Sequence, residues 1–186
     1  MSSDYRERLE NLESLVLKKR DKIDNLSGVP FVVFPYPPEK ELSVENDIES
    51  FVEKLEYNEL SVARIDVRNL IFTILQEENL LESVIEVERN NPEDLREGLN
   101  SAFFEEYDQS RGKLIDALVE RIENHDTAIM YRCGILYPFS SLSVILGQLE
   151  NIVETPLIIF YPAVVENNTI RFLDETEGRY YRAKVI

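Results

Sequence analysis

Four short runs of β-branched and aromatic residues constrain this chain more than any other feature. They span Pro30 to Tyr36, Ser61 to Val67, Thr127 to Cys133 and Pro156 to Tyr161, each bounded by turn residues, and they read as buried strands. Their apolar residues run on without strict alternation, the pattern of a sheet covered on both faces. Between them the spacing turns helical. Ile48, Phe51, Val52 and Leu55 recur at i, i+3, i+4, i+7 behind the expected cap Ser43, with Glu45 and Asp47 placed to oppose the helix dipole in the first turn. A second helix starts at Asp66 and buries Leu70, Ile71, Ile74 and Leu75; Ser141 caps a third that buries Leu142, Ile145, Leu146 and Leu149. Strand and helix alternate, so the expected fold is three-layer α/β around a mainly parallel sheet of about four strands.

Two stretches break the alternation. Residues 79–125 carry no strand signal, but Leu80, Leu81, Val84 and Ile85, then Leu114, Ile115, Leu118, Val119 and Ile122, fall at helical spacing. This predicts a helical insertion, interrupted at Asn90-Asn91-Pro92 and over Asn100 to Arg111. Residues 1–25 hold an amphipathic helix through Leu9, Leu12, Leu15 and Val16. At the other end Thr169 to Leu173 and Tyr180 to Ile186 flank Glu177-Gly178, which predicts a C-terminal antiparallel hairpin closing the sheet. With no repeat or linker, the 186 residues are expected to form a single α/β domain, 1–186.

Charge narrows the partners. Twenty Lys and Arg against 36 Asp and Glu leave a net −16, a surface that repels the phosphates of nucleic acids and anionic lipids. Direct DNA binding is therefore not expected. The acidity serves solubility equally well, or matches a basic protein partner. No apolar run approaches the roughly 20 residues of a membrane span, and Met1-Ser2-Ser3-Asp4-Tyr5-Arg6 has no signal-peptide character. Cys133 has no second cysteine to pair with, so nothing asks for an oxidising compartment, and a cytoplasmic protein without membrane contact is expected.

The residues that common enzyme chemistry needs are missing. A phosphate cradle requires successive backbone N–H groups from glycines and a lysine, whereas the first strand runs into Pro35-Tyr36-Pro37-Pro38-Glu39. Proline has no N–H to offer, and Glu39 and Glu41 would repel phosphate. The lone histidine, His125, is expected in an exposed turn, and Cys133 is expected as a small buried residue rather than a nucleophile. Glu105, Glu106 and Asp108 read as a solvated face. No catalytic residue, metal or cofactor is expected.

One repeated signature remains: Tyr36-Pro37, Tyr137-Pro138 and Tyr161-Pro162 follow the first, third and fourth strands, and should meet at one rim of the sheet. Tyrosine is favoured at interface centres and proline keeps a loop stiff. The plainer account is that prolines stop strands and tyrosines cap the core.

Taken in series, Pro30-Phe31-Val32-Val33-Phe34-Pro35-Tyr36-Pro37-Pro38-Glu39, Gly134-Ile135-Leu136-Tyr137-Pro138-Phe139, Phe160-Tyr161-Pro162 and Tyr180-Tyr181-Arg182-Ala183 resemble the BrxB family of bacteriophage-exclusion (BREX) systems. The resemblance spans nearly the whole chain. It implies a non-catalytic adaptor subunit of a multi-protein phage-defence system, binding other components such as the PglZ alkaline-phosphatase-like protein or the BrxC ATPase. The candidate interaction residues are then Tyr36, Pro37, Tyr137, Pro138, Tyr161, Pro162, Tyr180, Tyr181 and Arg182. The chain departs from the family pattern where Ser140-Ser141-Leu142-Ser143 replaces an Arg-x-His pair and Ala163 replaces a glycine. Two other classes compete with the adaptor: a nucleotide-dependent switch or enzyme using the strand-end crevice, and an acidic DNA mimic.

Overall fold

The structure, a computed structural model, describes residues 2–20, 23, 28–104, 112–166, 169–172, 175–176 and 183–186. In chain order these form α1 (Ser2–Lys19), β1 (Phe31–Tyr36), α2 (Val44–Tyr57), β2 (Val62–Asp66), α3 (Val67–Glu77), α4 (Leu81–Asn90) and α5 (Pro92–Phe104). There follow α6 (Lys113–Ile122), β3 (Thr127–Tyr131), α7 (Leu142–Leu149), β4 (Leu157–Pro162), β5 (Val164–Glu166), β6 (Thr169–Phe172), β7 (Glu175–Thr176) and β8 (Lys184–Val185). The four expected strands are present, with ends shifted by one or two residues.

They lie in a parallel sheet ordered β2-β3-β4-β1-β8. The two-residue pleat period divides its side chains between two cores. Val32, Phe34 and Tyr36 of β1 join Ile158 and Phe160 of β4 under α1 and α2, whereas Phe31, Val33, Ile159 and Tyr161 face the helices that follow β2 and β3. The fold is thus α/β in three layers, and the continuous apolar runs of β1 and β4 are buried along their whole length. Each such Ile, Leu or Phe side chain contributes about 1.5–3 kcal/mol by leaving water.

Local chemistry explains the helix starts. The Asp66 carboxylate accepts from the Asn69 N–H at 3.0 Å, so one residue ends β2 and caps α3. Ser141 Oγ accepts from the Val144 N–H at 3.4 Å. Ser43 departs from expectation: its backbone is already helical, its side chain makes no capping bond, and its hydroxyl instead donates to the Lys40 carbonyl at 3.0 Å.

The C-terminal hairpin is real but differently paired. β5 and β6 run antiparallel, with Val164 opposite Arg171, and β7 adds to β6. The far arm expected within Tyr180 to Ile186 does not complete that hairpin: Lys184 and Val185 pair in parallel with Val32 and Val33, as a fifth strand of the main sheet. α1 holds this edge. Arg8 donates to the carbonyls of Pro35 at 2.7 Å and Ile186 at 2.6 Å, while its guanidinium lies 4.9 Å from the centre of the Phe34 ring.

Candidate functional site

In a parallel sheet of this class ligands sit beyond the carboxyl ends of the strands. The register sets Tyr36 against Pro162 and Pro35 against Tyr161. β1 and β4 therefore do bring two Tyr-Pro pairs side by side. Because they are offset by one residue, the pleat sends the two rings to opposite faces.

Tyr36 is 1% exposed, and its hydroxyl donates to the carboxylate of Glu41 in the turn that leaves β1. Burial, then the bond to Glu41, raises its pKa far above the ordinary phenol value. Tyr161 is 2% exposed on the other face, its ring centre 5.3 Å from that of Phe172. The Tyr137 ring centre lies 5.9 Å from that of the same phenylalanine, nearly edge to face, and Tyr137 is 41% exposed. A single aromatic rim is thus not what the fold displays. Tyr36 and Tyr161 are core residues, and of the three rings only that of Tyr137 is open to solvent. Pro138 beside it is exposed and linked through a cis peptide bond, Pro37 is half-buried, and Pro162 is buried. Tyr180, Tyr181 and Arg182 lie outside the described residues.

The crevice at this rim has a volume of about 240 Å³, with Glu41, Glu45, Arg68, Arg132 and Pro162 among its walls. Arg132 follows β3 in the left-handed region, φ 56°, a costly conformation for a residue that carries a Cβ. Its guanidinium donates to Asp66 at 2.7 Å and also to Glu45, so it ties the ends of β2 and β3 to the first turn of α2. Two carboxylates thereby occupy the arginine a bound anion would seek. β1 ends at Tyr36 and runs through Pro37 into a 3-10 turn over Pro38–Lys40, where the Lys40 and Glu41 N–H groups already donate to the Pro37 and Pro38 carbonyls. The sequence hid this network, since Arg132, Asp66 and Glu45 belong to three separate elements.

The remaining expected residues fall as follows. Cys133 is 1% exposed beneath the rim. His125 is in an exposed turn with Nδ1 3.0 Å from the Glu123 carbonyl. Glu105, Glu106 and Asp108 lie outside the described residues. Among the described residues no group of three or more His, Cys, Asp or Glu could hold a metal ion, and no helix is long and apolar enough to cross a membrane.

Apolar side chains are exposed after the strand ends as well: Leu42 is 93% exposed, Val164 45% and Val165 43%, in addition to Tyr137. Both valines lie in β5, which pairs with β6 and not with the main sheet.

No curated protein and no solved structure matches the chain significantly. A family model described as BREX protein BrxB matches residues 63–186, more than half of the chain. That match takes in β2 from Ala63 on, Arg132, the Tyr137-Pro138 turn and everything after it, and leaves the Pro30 to Glu39 segment outside. The chain belongs to the BrxB family of BREX phage-defence proteins.

Proposed function

We propose that this chain is a non-catalytic adaptor of its BREX system, working in the cytoplasm and docking another system component, foremost the PglZ alkaline-phosphatase-like protein or the BrxC ATPase, through the strand-end rim around Tyr137 and Pro138. One observation carries the reading. At the strand ends, where an α/β protein usually binds its ligand, the crevice is smaller than most small-molecule sites and its Arg132 is held by Asp66 and Glu45, while Leu42, Tyr137, Val164 and Val165, which follow the ends of those strands, are exposed. Exposed apolar side chains gathered in one place mark protein contacts more often than chance surface. Tyr137 suits an anchor: its ring is already braced by Phe172, so little conformational freedom is lost on binding.

The test is calorimetric titration of the full chain with purified PglZ and BrxC. Tyr137→Ala and Val164→Asp are expected to weaken the complex by about 2 kcal/mol or more, near thirtyfold. Tyr36→Ala serves as the contrast, since it should act only by unfolding the chain. Unchanged affinity in both folded rim variants would reject the rim; no binding to either protein by the unaltered chain would reject the adaptor role.

A further inference from the structure

A second surface lies away from the rim. α4 buries none of its residues. Its apolar stripe of Leu81, Val84 and Ile85 faces Phe72 of α3 and Leu99 of α5 across a groove of about 220 Å³, floored by Leu75 and Leu136. Phe72 is 44% exposed, Ile85 41% and Val87 37%, so the stripe of an amphipathic helix is left partly in water. The volume is below the roughly 300–1,000 Å³ of small-molecule sites. The walls are helices, and the ten residues of α4 run about 15 Å at 1.5 Å per residue. That length presents three turns, the span read by i, i+4, i+7 anchors of a docked helix.

Charge selects the occupant. Glu82 and Glu86 flank the apolar stripe of α4 and Glu88 lines the groove itself, with Arg89 the sole basic residue of that helix. Glu77 at the end of α3, and Glu93 and Asp94 at the start of α5, complete an acidic border of exposed carboxylates. Glu78 is ion-paired to Lys113, whereas Glu82, Glu86 and Glu88 have no ion pair among the described residues. A second copy of this chain, docked about a two-fold axis, would lay the acidic border against itself. A partner helix with apolar anchors and Lys or Arg flanks meets both the stripe and the border. We propose that the α3–α4–α5 groove is a docking site for a basic amphipathic helix of a partner protein. The assignment extends the adaptor reading but uses a different surface from the rim.

A fluorescein-labelled 18-residue peptide with Leu at i, i+4, i+7 and i+11 and Lys on its flanks probes this directly, against a peptide of the same composition with the Leu residues scrambled. At 150 mM salt the amphipathic peptide is expected to bind the full chain at least tenfold tighter than the scrambled one. Phe72→Ser combined with Ile85→Ser should remove that advantage, and the triple reversal Glu82→Lys, Glu86→Lys, Glu88→Lys, which touches no core side chain, should weaken binding at least tenfold. Tyr137→Ala should leave it unchanged. Equal binding of the two peptides overturns the proposal, as does indifference to both groove variants, or sedimentation as a dimer that Ile85→Asp dissociates. If the peptide binds through the groove while neither PglZ nor BrxC binds the chain, the groove stands and the adaptor reading falls.

Discussion

Tyr36 donates its phenolic hydrogen to the Glu41 carboxylate across the turn where β1 leaves the sheet, and in doing so a tyrosine at the strand-end rim becomes part of the core. Its ring packs in the layer beneath α1 and α2 and its oxygen meets the Glu41 carboxylate. Tyr36→Ala is therefore expected to cost about 3–5 kcal/mol, as for other large buried aromatics. Tyr36→Phe keeps the volume but strips Glu41 of a donor, an expected loss of about 1.5–3 kcal/mol. Urea unfolding measures both. The raised phenol pKa adds a sign: the neutral hydroxyl is the form the fold favours, so this contribution is complete below the ordinary phenol pKa and disappears as pH climbs through the folded-state value. Stability of the unaltered chain should fall on the alkaline side of about pH 10, and Tyr36→Phe should flatten that fall. An identical alkaline limb in the variant would contradict the assignment.

A second coupling joins the starts of two neighbouring strands. Asp126 accepts from the Ser61 N–H at 2.9 Å and from the Ser61 hydroxyl at 2.8 Å, while the Asp126 N–H donates back to Ser61 Oγ at 2.9 Å. These bonds from Ser61 hold the Asp126 carboxyl below its usual pKa, helped by Arg20. A depressed carboxyl contributes stability above its unfolded pKa and loses it as pH falls through the folded value. Asp126→Asn should then destabilise by about 1 kcal/mol at pH 7, and the gap from the unaltered chain should narrow as pH falls below the ordinary carboxyl range. Denaturant midpoints at pH 7, 5 and 3 test this; a gap independent of pH would assign the effect to backbone geometry alone.

How much of this could be read from the sequence depends on the range of the interaction. β1 to β4 were legible because a buried parallel strand needs an unbroken apolar run, and the caps at Asp66 and Ser141 because capping is decided within three residues. Ser43 misled because its hydroxyl had a second local acceptor, the Lys40 carbonyl, that pattern alone does not rank. β8 pairs over two residues with a strand at the far end of the chain, so its direction depends on where the preceding segments lead. At the rim, the clustering of Tyr-Pro pairs follows from parallel order and was legible. Their burial was not: a one-residue offset between Tyr36 and Tyr161 decides which face each ring takes. The Arg132 network and the acidic groove of α4 both draw on separate elements, and they emerge only when those elements pack.

The last expectation concerns the rival reading as a nucleotide-dependent switch. A nucleoside triphosphate at this rim would need N–H donors and at least one uncommitted cation. β1 is followed by Pro37 and Pro38, which supply no N–H. Arg132 is held by Asp66 and Glu45, and a phosphate replacing them would leave two carboxylates within a few ångströms of its own charge. Arg68, exposed on the crevice wall, is a single cation facing Glu41 and Glu45. Calorimetric titration with ATP or GTP and magnesium is expected to show no saturable binding tighter than about 1 mM, roughly 4 kcal/mol of affinity. Glu45→Gln releases one of the two acids from Arg132 and is expected to change nothing, because the missing backbone donors are the larger obstacle. Saturable micromolar binding, lost in Arg132→Ala, would instead place a nucleotide in this crevice and return the chain to the class of switches.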